Sequence, residues 1–445
     1  MSTTPNVRLL AIGDVHLGTR PGSLPTDLAN FGIEVSELTP ESALAITIEK
    51  AIELRVHAVL FAGDVVESTN ARFEALRPLE IAIARLHEEG IPALAVVGNH
   101  DVEALPLLVE RVEGLEIIGA GGVWESRTIS AAGEPVAEIL GWSFPERQVR
   151  TSPVAALLRE PLAASGLPRI GLIHGDLDAS GGVYAPFTSR ELSEAGLDAW
   201  LLGHIHKPSL GASAEGDTPC GYLGSLLGLS PKESGPHGPW LIELDGTGAI
   251  EHEQLVLSPL RWEHVDVQVG EEDGPEEVAE LLLDEAERIA GEYREVGCAP
   301  RALGLRVQLV GRSTRIEALE KQCEGGAWED LRRETGDTLV FINRVRCKLE
   351  LAHDLEQLAR GEDPPALLAK KLLTLQAGGA ECAQLVAKAR LQLQPVAASS
   401  HWLPLENLRD SEDPLSDEGL RATLVRAGTS ALGALLSQRE GRTSR

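Results

Sequence analysis

The chain opens with short apolar runs separated by segments of helical periodicity. Residues 7–13, 58–63 and 93–97 are compact apolar stretches, the pattern of strands buried on both faces. Between them, residues 41–54 place Leu44, Ile48, Ala51 and Ile52 at helical spacing, with Thr39 or Ser42 as a cap. Residues 71–89 form a second helical stretch closed by Gly90. This strand–helix alternation predicts an α/β layered architecture. Further strands are expected at 116–119, 136–140, 170–173 and 200–203, then at 222–223, 240–244 and 250–256. Few helices separate the later ones, so a second, more antiparallel sheet is expected. Residues 1–258 read as one large domain. Within it, residues 1–6 read as a disordered start and residues 17–40, with Pro21, Gly22, Pro25 and Pro40, as a long loop.

The pattern changes at Arg261. Residues 262–269 alternate like a strand, 275–293 form a strongly acidic helix, 302–310 alternate again, 315–323 are helical and 338–349 are a strand. That order predicts a small α+β domain over residues 261–350. Residues 355–394 carry two short helical stretches, 365–376 and 380–394, hinged at Gly378-Gly379, whose leucines could face a core or a partner helix. Residues 395–416 read as a linker and 420–438 as a last helix, so that 395–445 are linker and C-terminal helix. There is no internal repeat.

Composition narrows the class. A chain of 445 residues is expected to hold two or three domains. No apolar run approaches the ~20 residues that span a bilayer, and no secretory leader is read at the N-terminus, so the expected location is the cytoplasm. The cysteines Cys220, Cys298, Cys323, Cys347 and Cys382 are widely spaced, odd in number and without a C-x-x-C pair, which fits free thiols in a reducing compartment. The formal charge of −28 argues against a broad basic DNA-gripping face, although a local basic groove or a metal site can still hold phosphate.

Chemistry collects at the strand ends. The first run ends in Asp14-Val15-His16, the second in Asp64, the third in Asn99-His100-Asp101. Residues 170–173 end in His174, and 200–203 in His204-Ile205-His206. Alternate residues project to one side of an extended strand, so Asp14 and His16 can bind one cation together. Asp64 can bridge two cations. Asn99, His174 and His204 can complete the second site, and His206 the first. Mixed Asp, Asn and His donors suit Mn, Fe, Zn or Co. Two such ions about 3.5–4 Å apart would activate a bridging water for in-line phosphoryl displacement. His100 follows a ligand but projects differently, so it is expected to protonate the leaving oxygen or stabilise the pentacoordinate transition state. Asp101 is expected to orient a neighbouring imidazole. One such histidine is as often structural as functional; the full ordered set is not.

The order D-x-H, G-D, G-N-H-D, H, G-H-x-H resembles the calcineurin-like metallophosphoesterase superfamily. Residues 14–18 (DVHLG), 172–175 (LIHG), 184–187 (YAPF), 202–208 (LGHIHKP) and 224–225 (GS) are similar to the SbcD/YhaO-type DNA repair exonuclease subunits. The resemblance covers roughly residues 7–244. It implies a metallophosphoesterase β-sandwich flanked by helices, followed by the small α+β capping domain and the helical tail. It implies Asp14, His16, Asp64 and His206 on one metal, and Asp64, Asn99, His174 and His204 on the other. It also implies His100 as the catalytic histidine and manganese as the usual activating ion. The sequence departs at one point: many nuclease members carry a second catalytic histidine three residues after the bridging Asp, and here that residue is Glu67.

The expectation is therefore a two-metal phosphodiesterase acting on DNA. Its implied partners are DNA, an SMC-like coiled-coil ATPase meeting the segment 355–394, and a second copy of the chain, with no membrane. The alternatives are a phosphodiesterase for nucleotides or other small phosphoesters, and a catalytically silent binding module. Lys207 and Arg20 are candidate phosphate contacts, as is Arg72, surface arginines being the simpler reading for Arg20 and Arg72; Tyr184 could line the substrate site or serve packing. His57, His87, His237, His252, His264, His353 and His401 match no motif position. Arg344, Arg346 and Lys348 could present a basic stripe to nucleic acid, a solvated strand face being the simpler reading.

Overall fold

Eleven strands build two sheets around a shared apolar layer. They are β1 (Val7–Ile12), β2 (Ala58–Phe61), β3 (Ala93–Ala95), β4 (Leu115–Ile117), β5 (Glu125–Ala131), β6 (Glu134–Trp142), β7 (Arg169–His174), β8 (Ala199–Gly203), β9 (Cys220–Tyr222), β10 (Trp240–Leu244) and β11 (Ile250–Gln254). One sheet has the order β11-β10-β1-β2-β3-β4, the other β5-β6-β7-β8-β9. The computed structural model describes the chain except residues 1–6, 68–73, 162, 164, 213–217, 246–248, 353, 398–414 and 444–445. The expected start at 1–6, Arg72, His353, His401 and most of the 395–416 linker lie outside the described residues.

Period-two alternation explains the layering. In β1, Val7, Leu9 and Ala11 enter a cluster with Leu60, Val96, Ile139, Leu172, Leu201 and Ile242, drawn from both sheets. Leu10 and Ile12 point the other way, into a cluster with Leu44, Ile48 and Ala51 of α1 (Pro40–Glu53) and Leu79, Ile83 and Leu86 of α2 (Leu76–Glu88). Strands buried on both faces must be apolar at every position, which is why 58–61 and 199–203 read as unbroken runs. Each fully buried Val, Leu or Ile contributes about 1.5–3 kcal/mol, so this layer rigidly fixes the strand ends that carry the polar residues.

β1 to β4 run parallel, whereas β10 joins β1 antiparallel and β11 joins β10 antiparallel. The second sheet is not the antiparallel one expected. β5 and β6 form an antiparallel pair, but β6, β7, β8 and β9 are parallel neighbours. Two of its connections carry the seven-residue helices α4 (Pro153–Arg159) and α5 (Ser189–Ala195), too short for a sequence period to register; α3 (Leu105–Val109) is shorter still. The late strands do pair antiparallel, but at the edge of the first sheet. The expected loop at 17–40 holds two 3₁₀ turns, Leu28–Phe31 and Val35–Leu38, anchored by buried Leu28, Ile33 and Leu38.

The remaining elements are β12 (Leu260–Val269), α6 (Pro275–Glu295), β13 (Ala302–Ser313), α7 (Ile316–Gly325), β14 (Arg332–Thr335), β15 (Thr338–Leu351), α8 (Leu355–Leu358), α9 (Pro364–Ala377), α10 (Gly379–Ala397) and α11 (Asp417–Thr443). The four strands form a sheet ordered β12-β13-β15-β14. The chain divides into two compact units. The first comprises Met1–His264, Ala286–Arg306 and Arg332–Asn343, and so reaches beyond residue 258; the second comprises Val265–Glu285, Val307–Leu331 and Arg344–Arg445. Within the second unit, Leu375 of α9, Cys382 and Val386 of α10 and Leu420 of α11 share a core, while Leu367 and Leu391 are exposed. Among the described residues no helix is long and apolar enough to cross a membrane.

Candidate metal centre

Parallel strands deliver their C-terminal ends to one edge. β1, β2 and β3 of the first sheet and β7 and β8 of the second bring Asp14, His16, Asp64, Asn99, His174, His204 and His206 together in the first unit. The ligand atoms of Asp14, His16 and His206 lie within 4.8 Å of one another, as do those of Asp64, His174 and His204. The expected set is therefore brought together from five strand ends. Close packing of the exits requires two glycines. A Cβ on Gly63 would sit 2.6 Å from His174 Nδ1, and one on Gly98 would sit 2.2 Å from Asp64 Oδ1.

Three of the converging residues are also strained into place. His16, Asp64 and His204 have φ of 53°, 48° and 109°, a region L-residues rarely occupy. Each such residue costs about 1–3 kcal/mol, so the surrounding sheet must hold these turns against their preference.

Hydrogen bonds fix which nitrogen of each ring faces the centre. His174 Nδ1 donates to the Ala62 carbonyl at 3.0 Å, leaving Nε2 3.0 Å from Asn99 Oδ1 and 3.3 Å from Asp64 Oδ2. His206 Nδ1 faces Glu233 Oε1 at 3.0 Å, and its Nε2 lies 3.1 Å from His16 Nε2. His204 Nε2 faces Asp176 Oδ1 at 3.1 Å, leaving Nδ1 inward. A carboxylate or carbonyl only accepts, so each outward nitrogen carries a proton, and the opposite nitrogen presents a lone pair whenever its ring is neutral. His16 Nε2 and His206 Nε2 oppose each other at hydrogen-bond distance, the tautomers deciding which of them donates. A cluster of inward lone pairs and carboxylate oxygens is the donor set of a divalent cation.

The electrostatics agree. Burial opposes a charge on His174, yet the adjacent Asp64 and Asp14 carboxylates override it and push the ring up to about 9. Asp64 is held well below the usual carboxylate range: burial raises it, and His174 and His16 outweigh that. Burial raises Asp14, with the Asp64 charge adding to it, whereas burial and neighbouring His174 lower His204 to about 4.

Asp64 Oδ1 accepts the His100 N–H at 2.9 Å, and Oδ2 lies between His174 and His16, 3.3 and 3.9 Å away. One role differs from expectation. Asp101 does not orient an imidazole. Fully buried, it accepts the Val66 N–H at 2.8 Å and the Gly98 N–H at 3.0 Å, tying the exits of β2 and β3 together. Burial and the Asp64 charge raise its carboxyl to about 7, against the backbone donors.

His100 is half-exposed and its Nδ1 lies 3.0 Å from Glu67 Oε2. The Tyr184 ring is 5.1 Å from that of His204. Lys207 is exposed beside His206, and Arg20 lines a groove with Glu34, Glu41 and Glu74 that contains none of the ligand residues. Sequence reasoning missed Asp176, Glu233 and Ser143. Asp176 follows His174-Gly175 and was findable as a polar strand exit. Glu233 is 27 residues from His206, and Ser143 Oγ, which accepts the Val97 N–H and donates to the Ile118 carbonyl, lies past β6; neither carries a sequence signal.

Comparison with known proteins places these residues. The family model for calcineurin-like phosphoesterases matches residues 7–208. The chain is 32% identical to the uncharacterized metallophosphoesterase YhaO of Bacillus subtilis over 50% of its own length and 54% of that protein. It is 25% identical to the DNA double-strand break repair protein Mre11 of Aeropyrum pernix, over 59% of its length and 64% of the relative's. It is 30% identical to a component of the nuclease SbcCD of Rhodobacter capsulatus, over 44% and 59%. The matched region thus spans between half and two thirds of these relatives. Residues 7–208, the stretch similar to calcineurin-like phosphoesterases, hold all seven converging residues.

Proposed function

We propose that this protein is a two-metal phosphodiesterase that cleaves DNA. The observation that carries the reading is Asp64 Oδ2, set between His16 on one side and His174 on the other, so that one carboxylate serves two sites. Asp14, His16, Asp64 and His206 would hold one divalent ion, and Asp64, Asn99, His174 and His204 the second, manganese being the favoured metal. When bound, such a pair activates water and neutralises phosphate oxygens. His100 is tied to Asp64 through its backbone N–H while its ring stays half-exposed. That ring is the group placed to give a proton to the leaving oxygen. Lys207 stands exposed beside the site as a phosphate contact, and Asp101 keeps the loops in register.

DNA is favoured as substrate because relatives named as a break-repair protein and a nuclease component share the motif-bearing region. By the same analogy we propose an SMC-like coiled-coil ATPase as partner, docking on the helices at 355–394, a homodimeric assembly, and work in the cytoplasm, where the free cysteines would remain reduced. The test is a Mn²⁺-supplemented assay on labelled single- and double-stranded DNA beside bis-p-nitrophenyl phosphate, with His100→Ala as control. Metal-dependent DNA cleavage lost in the control is expected. Cleavage of the small ester but never DNA would move the assignment to nucleotides or other small phosphoesters.

A further inference from the structure

Glu67 stands where many of the resembling nucleases carry a histidine, and its carboxylate lies between two imidazoles. His100 Nδ1 is 3.0 Å from Oε2 and 3.2 Å from Oε1, and His16 Nδ1 is 3.4 Å from Oε2. The two rings stand edge to face, with centroids 5.2 Å apart. We infer that Glu67 is a positioning residue, a single acceptor that takes the Nδ1 protons of both His16 and His100 and so decides which nitrogen of each ring is left for chemistry. The inference rests on the two-metal phosphodiesterase reading and assigns to this chain a device of its own.

The geometry explains why a carboxylate is suited here. A neutral imidazole has one lone-pair nitrogen and can accept from only one partner; a carboxylate has about four acceptor positions and can serve two rings at once. With its Nδ1 held by Glu67, His16 turns Nε2 towards His206 Nε2 and Asp64 Oδ2. His100 is held twice, by its ring on Glu67 and by its backbone N–H on Asp64 Oδ1, so its Nε2 is the nitrogen available for proton transfer.

The backbone keeps Glu67 in reach of both. Beyond the strands, the exits of β1 and β2 continue to pair: the His16 N–H donates to Asp64, the Leu17 N–H to Val65 and the Glu67 N–H to Leu17. Asp101 anchors the same loop through Val66. Glu67 thus links a metal ligand from one strand to the acid candidate from another. Fixing a ligand imidazole from its far nitrogen is a contribution whose loss typically weakens metal affinity by about 10–100-fold.

The test uses the full chain with Glu67→Ala and Glu67→Gln, beside His100→Ala. The readouts are metal stoichiometry by elemental analysis, metal affinity by calorimetric titration, imidazole ¹H–¹⁵N spectra of the Zn²⁺-loaded protein, and kcat and KM on bis-p-nitrophenyl phosphate. In the wild-type protein, hydrogen-bonded Nδ1–H resonances of both rings are expected, the one lost in His100→Ala belonging to His100. Glu67→Ala should lose both, keep two ions, weaken one of them about 10–100-fold, and lower kcat at saturating metal by about 100-fold with little change in KM. Glu67→Gln, which keeps an acceptor oxygen and the side-chain volume, should recover part of each loss. In the Glu67→Ala/His100→Ala double variant, kcat at saturating metal should fall no further than in His100→Ala. Unaltered ring spectra, or additive losses in the double variant, would overturn the inference. So would a fall from two ions to one, which would make Glu67 a ligand with His16 and His100. If the wild-type chain turned over no phosphodiester, that reading would fail by itself, while spectra and titration would still decide whether Glu67 holds the two rings.

Discussion

Three consecutive residues, Asn99, His100 and Asp101, leave one strand exit with three separate tasks. Asn99 Oδ1 meets His174 Nε2 among the inward donors, His100 reaches Glu67, and Asp101 binds only backbone N–H groups. The expected consequence is a split in phenotype. Asn99→Ala should lower bound metal per chain, measured by elemental analysis after dialysis, whereas His100→Ala should retain both ions and lose turnover. An emptied site in His100→Ala would make it a ligand. Asp101→Asn should leave ligand identity intact and cost about 1–3 kcal/mol of stability, because an amide NH₂ would oppose a buried N–H donor. Denaturant midpoints with unchanged m-values would show it. At this scale the residue types were legible and their partners were not. An amide, an imidazole and a carboxylate after an apolar run announce chemistry. Which oxygen accepts from which N–H depends partly on loops from distant strands, and Asp101 looked like a ring orienter because its Val66 partner lies 35 residues away.

Elements place these residues through close approach. Gly63 has φ +90° and its Cα faces His174, so Gly63→Ala would combine an unfavourable backbone conformation with a Cβ 2.6 Å from the ring. Because His174 is also held by the Ala62 carbonyl, the ring cannot retreat without giving up the bond that sets its inward nitrogen. Gly63→Ala is therefore expected to unfold at lower denaturant and to bind less than two ions per chain, a joint loss that circular dichroism and elemental analysis would follow. The strands that carry the site were legible because both faces are buried, which forces continuous apolar runs at β1, β2 and β8. Sheet assignment was not. β10 and β11 read as late strands of a second sheet, yet they complete the first, since nothing in a half-buried hairpin states which edge it will join. The parallel order β6 to β9 was hidden by connections too short for a helical period to show.

For the whole molecule, the charge of −28 and the buried carboxylates Asp14 and Asp64 point the same way. An acidic chain that concentrates two buried carboxylates beside four imidazoles gains stability from any cation bound there, because the folded state alone assembles the donors. A ligand at 100 times its dissociation constant adds about 2.7 kcal/mol, and in a folding unit of this size each kcal/mol moves the melting temperature by about 2–4 °C. Chelation is thus expected to lower the midpoint by about 5–10 °C on these scales, with Mn²⁺ restoring it, in differential scanning calorimetry. The same shift separates the site's parts without any substrate. Asn99→Ala should show a reduced metal-dependent shift because a donor is lost, and His100→Ala the full shift because none is. Glu67→Ala should fall between them, with a shift that approaches the wild-type value as Mn²⁺ is raised, since a ligand ring released from its acceptor binds more weakly but still binds. Equal shifts in all three variants would show that the ions stabilising the fold sit elsewhere than the five strand ends.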